Sequence, residues 1–276
     1  MHTILATALA ANTVLRTTVN NQYRISTGDT LIDNLHYADS RLVALYDTEN
    51  MGDHDWMFYE ERIGESPKRV ADVGCGTGAF AVRLAAAGHT VVGVDPAPAM
   101  LDFARRRPGG ERVTWVHGVA DDLPHEPGYD YATMMGHAFQ CLVTDEEVEG
   151  TLTAVRERLL PGGRFMFESR NPSLRAWLRW HKQRSTRAVG GDDGGQVETM
   201  FDVLSVHDQI VIFDTHYWFR EDNAHLVDRG QLRFMPQSEI DGHLRSAGFT
   251  EVEWFGGWDG TPFDERTSGE IIAIAG

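Results

Sequence analysis

The stretch Val70-Ala71-Asp72-Val73-Gly74-Cys75-Gly76-Thr77-Gly78 decides the reading of this chain. A β-branched run over residues 69–73 passes directly into three glycines on alternate positions. A helical pattern follows, with Phe80, Leu84 and Ala87 on one face until Gly88 stops it. Glycines at a strand-to-helix turn tolerate positive φ and let a ligand lie on bare backbone, while the helix start offers unpaired N–H groups. The spacing Gly74-x-Gly76-x-x-Ala79 also satisfies the dinucleotide fingerprint, so the turn alone leaves the ligand open.

Outward from the turn, strands and helices alternate, the pattern of a parallel sheet covered on both faces. Strands are predicted over residues 90–95, 112–117, 131–135 and 164–168. Pro98 opens one helix, which ends in Arg105-Arg106-Arg107, a basic run suited to a helix C-terminus. Thr144 with Glu147 three residues on forms a capping box for another, with Val148, Leu152, Val155 and Leu159 inward, and Pro161-Gly162-Gly163 is expected to end it. The alternation breaks over residues 173–235. A tryptophan-bearing stretch runs into Gly190-Gly191-Asp192-Asp193-Gly194-Gly195, which suits a lid, and strands follow over 197–206, 210–219 and 231–234, read as an antiparallel insertion. A helix with Ile240, Leu244 and Ala247, then strands over 250–255 and 270–275, close the sheet. The domain is expected over 37–276, with residues 1–36 as an N-terminal extension; residues 1–15 lack the basic start of a signal peptide.

The formal charge of −16 (25 Lys+Arg against 41 Asp+Glu) argues against nucleic acid and anionic membrane as partners. No apolar run approaches the roughly 20 residues that span a bilayer. Cys75 and Cys141 form no C-x-x-C pair, which excludes a disulfide framework or cysteine zinc site and fits a reducing cytoplasm. Asp53-His54-Asp55 has metal-binding residue types at unhelpfully adjacent positions, so no metal is expected. A homo-oligomer is compatible with the sequence.

Asp95, at the end of the next strand, can accept both hydroxyls of an adenosine ribose, which S-adenosylmethionine (SAM) and NAD share. Asp72 favours the former, since a carboxylate there attracts a cationic amino group and would sit badly near a pyrophosphate. Asp72-Val73-Gly74-Cys75-Gly76-Thr77-Gly78, Val91-Val92-Gly93-Val94-Asp95-Pro96-Ala97-Pro98-Ala99-Met100-Leu101 and Leu159-Leu160-Pro161-Gly162-Gly163 together resemble the class I SAM-dependent methyltransferases, in the small-molecule branch with a single catalytic domain, over about residues 37 to 172. The resemblance implies a Rossmann-like seven-stranded α/β sheet, here with the antiparallel β insertion after strand five, and SAM as cofactor. It implies that Gly74, Gly76 and Gly78, with Cys75, cradle the methionine and ribose end. It implies that Asp95 and Pro96 meet the ribose, Met100 one adenine face, and Ala120 and Asp121 the adenine edge, where relatives read Gly-Asp-Ala and this chain has Gly118-Val119-Ala120. It further implies that Met135, at the end of strand four, lies beside the cofactor and that Tyr46 covers it.

Methyl transfer asks chiefly for alignment in a water-poor pocket, and a hydroxyl acceptor also asks for a base. His137, just past strand four, is the candidate base. Tyr37, Tyr59, Phe139, Glu168, Arg170 and Asn171 are candidate contacts for a small-molecule acceptor, an amine or a hydroxyl, such as a secondary metabolite or amino sugar. Trp254, Trp258 and Asp259 are candidates from the closing strands. The alternative is a SAM-binding enzyme that uses the cofactor for other chemistry, such as cyclisation.

Overall fold

The computed structural model of the chain describes residues 25–27, 30–32, 35–49, 54–180, 185–188 and 196–276. Two short strands, β1 (Ile25–Thr27) and β2 (Thr30–Ile32), pair antiparallel ahead of the helices α1 (Ser40–Glu49) and α2 (His54–Ile63). The glycine turn joins β3 (Arg69–Val73) to α3 (Ala79–Ala86). Next come β4 (Thr90–Asp95), α4 (Pro98–Arg106), β5 (Thr114–His117), β6 (Tyr129–Met134), α5 (Asp145–Arg158) and β7 (Leu159–Arg170). The insertion supplies β8 (Ser185–Ala188), β9 (Gln196–His207), β10 (Ile210–Phe219) and β11 (His225–Arg233); α6 (Gln237–Ser246), β12 (Val252–Phe255) and β13 (Glu270–Ala275) complete the chain.

The main sheet has the order β12-β13-β7-β6-β3-β4-β5. Strands β5, β4, β3, β6 and β7 run parallel, and β13 is antiparallel to both β7 and β12. This is the expected seven-stranded sheet. Its order reverses at β3, so a crevice opens beyond the carboxyl ends of β3, β4 and β6, and the glycine turn lies in it. One face packs Val148, Leu152 and Val155 of α5 and Ile240 and Leu244 of α6 against Phe165 and Phe167. The other packs Phe58 and Tyr59 of α2 and Phe80 and Leu84 of α3 against Val70 and Ile272. Each such side chain, fully buried, contributes about 1.5–3 kcal/mol. The insertion forms a second, antiparallel sheet of order β11-β10-β9-β8, on which Leu42 and Leu45 of α1 meet Val197 and Tyr217.

Several boundaries differ from the sequence reading, among them those of β5, α5 and β11. β5 starts at Thr114 because Gly110–Arg112 winds into a 3-10 turn. α5 ends at Arg158, and Pro161-Gly162-Gly163 lies within β7: Leu159 pairs with Tyr129 and Arg164 with Tyr131, so the residues between bulge out of the ladder. β11 begins at His225, well before residue 231, because its polar Asp228 is buried and Gly230 lies against the Phe213 ring. Residues 1–24, Asp53 and the glycine-rich residues 190–195 lie outside the described residues.

Candidate active site

Within the turn, Gly74, Gly76 and Gly78 all have positive φ (67°, 53° and 75°). Gly74 and Gly76 line the large cavity at the sheet's carboxyl edge. Gly78 faces away from it, where any Cβ would run into Trp115 and Ala104, so its requirement is packing. Cys75 does not line the cavity either: its N–H is tied to Val94 O at 3.1 Å. Tyr46 of α1 lies across the turn, since a Cβ at Gly76 would stand 3.7 Å from its ring. Thr77 Oγ1 donates to Asp47 Oδ1 at 2.5 Å, and Arg107 bonds both Asp47 and Thr77 O, which ties α1 down over the turn.

Asp95 is fixed by its neighbours. Gly76 N–H donates to Oδ2 and Ala97 N–H to Oδ1, both at 2.8 Å, leaving one lone pair on each oxygen for a ligand. Burial raises its pKa, against the two backbone donors. Asp72 lies beneath the turn, outside the cavity lining, and accepts from Thr133 Oγ1 at 3.0 Å; burial pushes it up to about 7, and Asp95 and Glu168 add to the rise. Glu168 is likewise buried, and burial raises it. Three carboxylates thus converge on one end of the crevice.

A second cluster sits where β6, β7 and β13 meet. His137 follows Gly136 in the left-handed region (φ 60°), held there by donating its N–H to Glu168 Oε1 at 2.7 Å. Tyr59 OH donates to the other Glu168 oxygen at 2.5 Å. The His137 ring, which lines the cavity, bonds Glu270 through Nε2 at 2.9 Å. Glu270 was absent from the sequence candidates; it opens β13, opposite Arg170 of β7, and only sheet register brings it to His137.

Of the remaining candidates, Pro96, Ala120, Asp121, Tyr37 and Arg170 line the cavity. Asp121 also accepts from the buried Arg158 at 3.1 Å. Val119 is 54% exposed at the same edge. Met100 is fully buried on α4 and does not line the cavity, and Met134, rather than Met135, reaches it. Tyr59, Phe139, Glu168 and Asn171 support the wall from behind. Phe139 stacks on Phe167 at 4.4 Å, and the Asn171 side chain donates to Glu265 O and Ser268 O, both at 2.8 Å. Trp258 packs edge-on against Phe58 and Tyr59 instead of reaching the cavity.

The cavity measures about 1180 Å³ and is roofed by the insertion, whose Thr199, Phe201, Phe213, Thr215, Tyr217 and Asp228 line it. None of these roof residues was among the sequence candidates. His36 also joins it, donating its N–H to Asp228 Oδ1 at 3.0 Å and meeting Tyr217 OH through Nδ1 at 2.8 Å; burial lowers the imidazole to about 4, so it is neutral. Pockets for one ligand commonly measure about 300–1,000 Å³, so this cavity has room for a cofactor and a small second molecule.

A glycine turn, a carboxylate at the end of the second strand and a crevice at the switch point define the class of Rossmann-like nucleotide-binding α/β proteins. Residues 70–163 match a family model described as a methyltransferase domain. Among similar proteins, a ubiquinone biosynthesis O-methyltransferase of Aromatoleum aromaticum is 30% identical over 128 residues, 45% of this chain and 52% of that one. The cypemycin N-terminal methyltransferase of a Streptomyces species is 32% identical over 106 residues, 38% and 43% of the two chains. The chain therefore spans about half the length of the curated relatives it matches. The fold matches the sugar N-methyltransferase KedS8 of Streptoalloteichus sp ATCC 53650 with a TM-score of 0.65, 17% identity and 98% of each chain covered. It matches the amino pentose methyltransferase CalS10 of Micromonospora echinaspora with a TM-score of 0.63, 23% identity and coverage of 84% and 94%. Over residues 70–163 the chain is similar to methyltransferase domains, and its fold is shared with solved SAM-dependent methyltransferases.

Proposed function

We propose that this protein binds SAM and transfers its methyl group to an amine or hydroxyl of a small molecule. One observation carries the reading: a single cavity joins the glycine turn, with Asp95 beside it, to a chamber roofed by the insertion, with His137 on its wall. The donor set suits SAM. Asp72, Asp95 and Glu168 are buried carboxylates that a sulfonium and an ammonium group would stabilise and a pyrophosphate would not. Asp95 would hold the ribose diol, Gly74 and Gly76 the backbone-facing part, and Pro96, Val119, Ala120 and Asp121 the adenine. Tyr46 would cover the other side. The two structural neighbours described as sugar methyltransferases support an amino sugar as acceptor.

When bound, the cofactor supplies an electrophilic methyl group. The protein's part is alignment, water exclusion and proton transfer. A Glu270 carboxylate only accepts, so in the neutral imidazole tautomer that bonds it the His137 hydrogen is on Nε2 and the lone pair on Nδ1. Nδ1 takes the proton from an acceptor hydroxyl, and Glu270 orients the ring and stabilises the imidazolium. An amine that arrives neutral needs only placement, and loses its proton afterwards.

Incubation with methyl-labelled SAM and a panel of amines and alcohols tests this. Label is expected in the products of at least one class. His137→Ala should lower turnover of a hydroxyl acceptor by about 10²- to 10⁴-fold and that of a neutral amine far less. Tight SAM binding with no labelled product across the panel would abandon methyl transfer in favour of another use of the cofactor, such as cyclisation.

A further inference from the structure

In a chain of net charge −16, Arg170 is the one lysine or arginine among the described residues that line the cavity. It stands at the carboxyl end of β7, and the residue opposite it on β13 is Glu270, the natural partner for an ion pair. That pair does not form. Glu270 is turned to His137, and Glu168 is engaged by Tyr59 and the His137 N–H, so both nearby carboxylates are committed elsewhere. Among the described residues Arg170 makes no ion pair; its Nη1 donates to the neutral Gln140 Oε1 at 2.9 Å. Gln140 is 1% exposed and its Nε2 is bound to Arg233 O at 3.0 Å, which fixes the amide with its oxygen toward Arg170. Gln140 thus anchors one corner of the guanidinium and leaves the remaining N–H donors of the fork to face other partners.

The surroundings raise the value of those donors. The Trp180 ring lies 5.9 Å from Arg170 Cζ, and Phe213 packs edge-on against Trp180 at 5.1 Å; both aromatics line the same cavity. Burial weighs against the guanidinium charge, while the nearby Glu270 and Glu168 carboxylates favour it. A partly desolvated arginine with a fixed geometry and no carboxylate within ion-pair distance among the described residues is matched by a planar or tetrahedral oxyanion, which it can bind in bidentate fashion.

We infer that Arg170, anchored by Gln140, forms a subsite for an anionic oxyacid group, a carboxylate or a phosphate, carried by the acceptor. The inference rests on the methyltransferase reading for the word acceptor, but the anion site itself does not. The cavity is then polarised. Asp95 at the glycine turn, with Asp72 and Glu168 buried behind it, favours a cation, and Arg170 on the β7 side receives an anion. An acceptor bearing both a nucleophilic amine or hydroxyl and an acidic group is oriented by its acidic end.

The test has two arms. In the first, acetate and inorganic phosphate are titrated by calorimetry into wild-type protein, Arg170→Gln and Arg170→Lys. Saturable binding of one anion, weakened about 10- to 100-fold by Arg170→Gln and less by Arg170→Lys, is expected from loss of charge-assisted hydrogen bonds. The anion that binds more tightly identifies the source chemistry. No saturable binding of either to the wild type, or equal binding to Arg170→Gln, overturns the subsite. In the second, matched acceptors with and without the acidic group are compared for labelled methyl incorporation. The anionic member should show the higher kcat/KM, and Arg170→Gln should raise its KM by a larger factor than that of the neutral member. Equal kcat/KM for the two members in the wild type overturns the orientation by the acidic end. Anion binding with no methyl incorporation would sink the methyltransferase reading and leave the subsite standing, so the two failures are distinct.

Discussion

Asp72 lies under the glycine turn with Thr133 Oγ1 donating to it, and its pKa rises from 3.8 to about 7, first through burial and then through Asp95 and Glu168. A carboxyl whose pKa is higher folded than unfolded binds more protons in the native state, so its contribution opposes folding as pH climbs from the unfolded value to the folded one. The expected slope reaches about 1.4 kcal/mol of stability lost per pH unit between about pH 4 and pH 7, for this one group. Burial also raises Asp95 and Glu168, in the same sense, so the informative quantity is the difference between wild type and Asp72→Asn. Urea unfolding across this range should show the wild type losing ground to the variant as pH rises; parallel profiles would mean that Asp72 ionises as freely in the fold as in the open chain. At this scale, what was legible in the sequence was local. The glycine turn, Asp72 and Asp95 lie within one βαβ unit whose spacing sets their neighbours. Glu270 and Asp228 were illegible because β13 pairing and the β10–β11 hairpin bring them in from far along the chain.

The same contrast holds among the elements. β3, β4, α4 and β13 begin and end where their residues say, because turn glycines, Pro98 and β-branched runs act through neighbouring backbone. β7 and β11 overrun the sequence reading because sheet pairing overrode local signals: a bulge absorbed Pro161-Gly162-Gly163, and burial against β10 absorbed Asp228 and Gly230. The capping box of α5 was fully legible. Thr144 Oγ1 accepts from Glu147 N–H at 3.2 Å, and Glu147 Oε2 accepts from Thr144 N–H at 3.0 Å and Val143 N–H at 2.8 Å. Val143 and Glu147 also line the cavity, so the cap shapes part of the site wall. Thr144→Ala should cost about 1 kcal/mol in urea-monitored unfolding, while Thr144→Ser should cost little because it keeps the hydroxyl. An equal loss in the two variants would assign the effect to the threonine methyl and not to the cap.

On the scale of the whole molecule, the site is a space between two sheets. The main sheet offers its carboxyl edge, the insertion sheet offers aromatic and hydroxyl side chains, and α1 bridges them, with Leu42 and Leu45 on the roof and Asp47 tied to the turn. Neither sheet alone encloses a ligand, so a molecule that fills the cavity adds contacts to both and binds the native state in preference to the unfolded chain. Mass action then converts affinity into stability: a ligand present at about 100 times its Kd adds about 2.7 kcal/mol. For a chain of this size that corresponds to a rise of roughly 5 to 10 °C in the unfolding midpoint. The demethylated product of SAM, which needs no turnover and keeps the ribose and amino acid ends, is the suitable probe. It should raise the midpoint by that amount in a concentration-dependent way, whereas NADH, whose pyrophosphate would meet Asp95 with the Asp72 and Glu168 carboxylates buried behind it, should leave it unchanged. The reverse result, stabilisation by NADH alone, would reassign the glycine turn to a dinucleotide and remove the basis for methyl transfer.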